Sequence, residues 1–316
     1  MLKDILARRV LIVLGKGGVG KTTVSAAIAK LIAASGAHAL VMECDTRAPL
    51  AAVFGVEPLF DPQEVEPNIS LMTLDGRHAL EEYLRLVVPS RMLLKAVFAS
   101  RLYQFFVQAA PGLRELMMLG KIYYEAGRIA AKPGRGTIIV DAPASGQAMS
   151  LLKMPTAART TFADSIVGKE ASNISKMLRD RRHCAIVQVT TADSLSVAET
   201  IENHAQLEKI HLAPAAVIFN RTVTPGFDAH DLAAIANRHG TRSRKKNLEH
   251  LAELADSELR RGSEDRKAIA AIRAATGSPV IELAEYRGSA GIELIDRLAA
   301  DLARNGEIET AEIHTQ

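Results

Sequence analysis

Gly15-Lys16-Gly17-Gly18-Val19-Gly20-Lys21-Thr22, followed by Thr23, is the stretch of this chain best equipped for chemistry. Its pattern is a glycine, four residues, then Gly-Lys-Thr, directly after the apolar run Val10 to Leu14 and before a helix-like segment. Glycines are needed because successive backbone N–H groups must turn inward around phosphate oxygens, in conformations that a Cβ would obstruct. The helix start adds free N–H groups and the positive end of its dipole. Lys21 supplies a point charge for the β- and γ-phosphates of a nucleotide, and the Thr22 hydroxyl suits Mg²⁺. The plain alternative is a glycine-rich strand-to-helix turn without a ligand, and the placement between strand and helix argues against it.

Three more positions stand at the ends of apolar runs. Asp45 follows Ala39 to Cys44, where a carboxylate beside the phosphate loop can orient water for in-line attack. Asp141 ends Ile138-Ile139-Val140-Asp141, where a carboxylate, a hard oxygen ligand, suits Mg²⁺, often through water. Asn220 ends Val217-Ile218-Phe219 and is followed by Arg221; an amide donates and accepts at once. An acid or Asn that merely ends a strand is common, so each is weak alone.

The elements that must position these residues alternate in a regular rhythm. Candidate strands are 10–14, 39–44, 69–74, 137–140, 185–190, 215–220 and 280–283, with helix patterns such as 22–34 and 195–210 between them. Short buried runs alternating with helices predict an α/β fold, a doubly wound and mainly parallel sheet of about seven or eight strands with helices on both faces. A single domain over 1–316 is expected. It carries an apolar helical subdomain at about 78–132 and a solvated helical excursion at about 226–275, and 305–316 reads as a frayed tail.

Composition sets the outer limits. With 316 residues, 48% hydrophobic and 24% charged, the chain is globular, which excludes disordered and disulfide-rich classes. A net charge of +3 points to neither a nucleic-acid nor a membrane partner. Cys44 and Cys184 lie far apart, so no disulfide framework or zinc site is readable, and a reduced cytoplasmic location is expected. The start shows no signal-peptide pattern, and the apolar stretch 83–110 is broken by Arg85, Arg91, Lys95 and Arg101, too charged for a transmembrane segment.

Lys16, the second lysine of the loop, makes the segment resemble the deviant phosphate-loop ATPases: arsenite-pump and tail-anchored-protein-targeting ATPases, partition and division-site ATPases, and the nitrogenase iron protein. In that superfamily this lysine reaches the nucleotide of the opposite subunit, so the resemblance implies a homodimer; a solvated loop lysine is the alternative. Asp45, Leu50 and Phe54 keep the spacing of the first switch of the arsenite-pump and targeting family, with Thr46, Arg47 and Ala48 in place of its P-A-H. Asp141, Gly146, Leu152 and Pro155 keep the spacing of its second switch, and Gln147 departs from it. Asn220 matches the strand-ending Asn that reads adenine in the same family.

The resemblance implies an ATPase using ATP/ADP and Mg²⁺. Lys16 and Lys21 would stabilise phosphate charge, Asp45 would polarise water, and Thr22 and Asp141, with Asp45 beside them, would form the metal site. Gly146 would report the γ-phosphate. Arg47 would contact phosphate or a partner, or simply face solvent. The thiols for a metalloid site or an iron–sulfur cluster are lacking. Apolar residues over 83–131, from Tyr83 and Met92 to Tyr124, suit a protein client, and helix core is the competing assignment. Alternatives are a non-hydrolysing nucleotide-dependent scaffold, or a partition-like binder of DNA or a surface through Arg179–Arg182 or Arg242–Lys246, for which solvated helix surface is the plainer reading.

Overall fold

The computed structural model describes residues 2–45, 47–88, 90–101, 112–131, 136–227, 231 and 242–305. Eight strands form one sheet: β1 (Val10–Leu14), β2 (His38–Glu43), β3 (Gln63–Glu66), β4 (Ile69–Thr73), β5 (Gly136–Asp141), β6 (Cys184–Thr190), β7 (Ala216–Thr222) and β8 (Val280–Ala284). Their order is β3-β4-β2-β5-β1-β6-β7-β8, parallel throughout except for the antiparallel edge pair β3–β4. All seven predicted strands are present. The eighth, Gln63-Glu64-Val65-Glu66, has a single apolar residue; edge position and pairing from one side let a polar segment serve there.

The described helices are α1 (Leu2–Leu6), α2 (Lys21–Ala34), α3 (Pro49–Val53), α4 (Gly76–Val87), α5 (Arg91–Ala99), α6 (Leu113–Ala131), α7 (Ser145–Thr161), α8 (Ile166–Arg179), α9 (Ser194–Lys209), α10 (Arg242–Thr276) and α11 (Gly291–Asn305). The alternation of β1 shows how both faces are covered. Leu11 and Val13 join a core with Ile28 and Leu31 of α2 and Leu298 and Leu302 of α11. Val10, Ile12 and Leu14 join another with Leu119 and Ile122 of α6, Leu152 of α7 and Ile174 of α8. Burial on both faces is why the strand reads as an unbroken apolar run.

Two expectations change in detail. The excursion is not solvated throughout: Ile269 and Ile272 of α10 are buried against Val217 and Phe219 of β7, while Leu251 and Leu254 remain exposed. The low mean apolarity of its first turns hid the packed second half. The apolar section over 83–131 divides as well. Leu116, Leu119 and Ile122 belong to the core, whereas Leu86, Met92 and Leu93 are exposed; Leu102, Tyr103, Phe105 and Phe106 lie outside the described residues. No helix among the described residues is long and apolar enough to cross a membrane.

What matters for the site is the switch in winding direction at β1. Its neighbours are β5 and β6, and the chain leaves β1 through α2 towards β2 on one side. The carboxyl ends of β1, β2 and β5 therefore open on one edge, the place where such sheets bind ligands.

Candidate functional site

Gly15 follows β1 without an intervening residue, and its backbone runs so close to Val189 that a Cβ would overlap the Val189 carbonyl oxygen. Gly18 and Gly20 hold φ of 88° and 95°, left-handed values that glycine adopts without strain. Gly20 is the N-cap of α2 and has no side chain with which to cap it, so the first-turn N–H groups stay available to an anion. The loop Gly15, Lys16, Gly17, Gly18, Val19, Gly20 thus delivers Lys21, Thr22 and Thr23 on the first turn of a helix, as its pattern predicts.

Lys21 Nζ donates to the Lys16 carbonyl at 3.1 Å, folding the ammonium across the mouth of the loop. Burial lowers its pKa, opposed by the charges of Asp141, Glu199 and Asp45. Thr22 Oγ1 donates to Asp141 Oδ2 at 2.6 Å, and Ser25 Oγ reaches Asp141 Oδ1 at 3.4 Å. Asp141 is buried at the end of β5, and that burial raises its pKa to about 6, against the hydrogen bonds from Thr22 and Ser25 and the charge of Lys21. A hydroxyl and a carboxylate, both hard oxygen donors, meet beside the helix start. This donor set fits Mg²⁺ and not a soft metal, and a buried carboxylate of raised pKa gains from an added cation.

Asp45 stands at the end of the neighbouring strand and is already engaged. The Arg47 backbone N–H donates to it at 2.9 Å, and the guanidinium adds contacts of 3.1 Å from Nε and 2.6 Å from Nη2. These bonds hold the Asp45 carboxyl below the usual carboxylate range. The Arg47 side chain is 87% exposed, so it combines a solvent-facing position with a specific intrachain partner, which sequence reading did not foresee. Thr46 lies outside the described residues.

Gly146 is the second residue of α7, exposed, behind an N-cap, Ala144, that offers no side-chain bond. Asn220 is buried, its Nδ2 donating to Val19 O at 2.9 Å and its Oδ1 accepting from Arg221 N–H at 3.0 Å. Arg221 holds φ of 64°, and its Nη2 donates to Gly18 O at 3.2 Å. Both residues therefore brace the phosphate loop from β7. Lys16 Nζ donates to Asp193 Oδ1 at 3.1 Å, and Asp193 also caps α9 by accepting from Ser196 N–H at 2.9 Å.

Sequence reasoning missed Asp193 and Glu43. For Asp193 the signal was an acid three residues before Ser196, just after a strand, which is N-cap spacing. For Glu43 it was a charge inside an apolar strand run. Glu43 is fully buried at the end of β2, accepts from Leu50 N–H at 2.7 Å, and burial pushes its carboxyl up to about 7. Cys44 and Cys184 are free thiols; burial raises both, Cys184 to about 12, so they act as small apolar residues.

A family model described as anion-transporting ATPase matches residues 8–171, spanning the phosphate loop and both switch segments. "ATPase BagA" of Mycobacterium tuberculosis (strain ATCC 25618 / H37Rv) is 30% identical over 236 residues, 72% of this chain and 69% of its own. The "Putative arsenical pump-driving ATPase" of Chlorobaculum tepidum is 27% identical over 156 residues, 46% of this chain and 36% of that one. A phosphate loop, two acid-ended neighbouring strands and a family match over the same segments lead to one conclusion: the chain is an ATPase and belongs to the ArsA-type, anion-transporting ATPase family.

Proposed function

We propose that this ATPase is a Mg²⁺-dependent molecular switch whose nucleotide state is read by a protein partner, and that it works as a homodimer in the cytoplasm. The observation that carries the reading is the Thr22–Asp141 pair of 2.6 Å set against Lys21 at the start of α2. In this reading the loop N–H groups and Lys21 bind the β- and γ-phosphates, and Lys16 leaves Asp193 to add charge across the dimer. Thr22 and Asp141 hold the metal, which neutralises charge on the phosphates when bound. Asp45 orients the water that attacks the γ-phosphorus in line, with ADP as the leaving group. Asn220, already braced on the loop, turns its remaining N–H and lone pair to adenine, with Arg221 beside it. The Gly146 N–H senses the γ-phosphate at the start of α7.

The partner surface is proposed on the helices of 83–131. A cleft of about 870 Å³ runs between α4, α6 and α8, lined by Tyr83, Met117, Gly120, Tyr124, Val167 and Met177 among others. Met92 and Leu93 stand exposed on α5. Flexible Met and aromatic side chains suit a variable apolar ligand. At Arg179–Arg182, Arg182 is paired with Asp180 at 3.2 Å; the side chains of Arg242–Lys246 lie outside the described residues.

Phosphate release with and without MgCl₂, for wild type and for Asp45→Ala and Lys16→Ala variants, tests the reading. Magnesium-dependent turnover that falls at least tenfold in both variants, with ATP still bound, supports it. Turnover indifferent to the metal and to both substitutions overturns it.

A further inference from the structure

Glu43 is the only charged residue in β2, and its neighbours Leu40, Val41 and Met42 are apolar and buried. The two oxygens of this fully buried carboxylate have different fates. Oε1 accepts from the Leu50 N–H at 2.7 Å, tying β2 to the first turn of α3 across the segment that carries Asp45 and Arg47. Among the described residues Oε2 is buried without a hydrogen-bond partner, while the Ala51 N–H, next to Leu50, also acts on the carboxylate. The register of β2 on β5 sets Glu43 directly beside Asp141, the carboxylate bonded to Thr22. Two buried carboxylates side by side repel each other, and a buried oxygen left unpaired is costly, so a helix cap alone does not account for Glu43. Glutamine would cap Leu50 equally well and carry no charge.

We propose that Glu43 is a positioning residue that couples metal occupancy to the first switch: Oε2 accepts from a water of the metal's shell while Oε1 holds the Leu50 N–H. This rests on the reading of Thr22 and Asp141 as the metal site. One rigid carboxylate then touches both the hydrated metal and the segment of 45–50. Loading of the metal fixes the Glu43 side chain, the fixed side chain fixes Leu50, and Asp45 is held at one distance from the phosphates. Without metal, Glu43 is held from α3 alone, chiefly by its Oε1 bond to Leu50, and the segment is less firmly fixed.

The test is calorimetry of ADP binding over a MgCl₂ titration, together with amide hydrogen exchange of 47–54, on wild type and Glu43→Gln. For wild type, Mg²⁺ tightens ADP binding and slows exchange at Leu50 and Ala51 in step with metal occupancy. For Glu43→Gln, ADP affinity without metal stays within twofold, the Mg²⁺ half-saturation point rises at least fivefold, and the metal no longer slows exchange at Leu50. An unchanged half-saturation point and unchanged exchange coupling in Glu43→Gln overturn the proposal and leave the metal site standing. Wild type that ignores Mg²⁺ overturns the metal site and this proposal together. Should Glu43→Gln not fold, the wild-type titration decides alone: exchange at Leu50 and Ala51 that does not follow metal occupancy refutes the coupling.

Discussion

The carboxyl edge of the sheet and the helical layer made by α4, α5 and α6 constrain their polar residues in opposite ways. At the sheet edge, Asp141 and Asn220 lie within strands paired on both sides and Asp45 just beyond another, so the backbone determines where their side chains stand. In the helical layer, Lys121 of α6 is buried in a pair of contacts to Glu82 of α4 at 2.9 Å and to Glu125 at 3.1 Å, and its ammonium lies 5.0 Å from the Phe60 ring. There the charges follow the packing of helices rather than direct it. Position at the sheet edge is set locally by strand ends, whereas in the helical layer it depends on which face each helix turns inward.

Several measurements break or sharpen this contrast. The largest effect is expected at the sheet edge, where Lys21→Ala removes the charge that the proposed function assigns to the phosphates and lowers turnover by about 10²–10³, with little change in thermal stability. In the helical layer the ranking reverses. Leu119→Ala, at a site with 0% exposure, costs about 2–5 kcal/mol in denaturant unfolding and leaves nucleotide affinity within a factor of a few.

pH separates the regions next. Glu43 and Asp141 have folded-state pKa values of about 7 and about 6, raised above their unfolded values near ~4. The folded state therefore binds protons more tightly than the unfolded chain, and stability falls as pH rises from about 4 to about 7. Unfolding at intervals across that range, without metal, shows the slope, and Glu43→Gln with Asp141→Asn flattens it. Asp45 and Asp193 are shifted downward, so what they add is complete above the normal carboxylate range and is lost only as pH falls through and below it.

Smaller effects follow. Asp193→Ala removes the α9 cap and the Lys16 partner, and costs about 1 kcal/mol in unfolding. Met92→Ala, at 83% exposure, stays within about 0.5 kcal/mol in unfolding, and on the proposed partner surface it weakens capture of an apolar peptide.

The same contrast explains what could be read in the sequence. The phosphate loop was legible because its glycines answer a backbone requirement, and Gly18 and Gly20 do take positive φ. The inner strands were legible because two-sided burial makes continuous apolar runs, and β8 because Ile281 and Leu283 alternate inward about the exposed Glu282. β3 was not, since an edge strand paired on one side tolerates Gln63, Glu64 and Glu66. Asp45 and Asp141 were legible as strand-ending acids, but the clasp of Arg47 on Asp45 arises from a turn geometry that spacing does not encode. Glu43 was passed over because a buried charge looks like any interrupted apolar run until the neighbouring strand is known. The split of 83–131 into core and exposed faces depends on tertiary packing, as with Gly76 of α4, where a Cβ would collide with the backbone of Arg114.

The central claim is that the Gly15–Thr22 loop grips a nucleotide through its main chain and Lys21, with Thr22 and Asp141 adding a metal. Calorimetric titration of a slowly hydrolysed ATP analogue into wild type and Asp141→Asn, each with and without MgCl₂, tests it directly. The account predicts binding by wild type that Mg²⁺ strengthens at least tenfold, and binding by Asp141→Asn that Mg²⁺ leaves almost unchanged. No detectable affinity of wild type for the analogue in the presence of Mg²⁺ would contradict it.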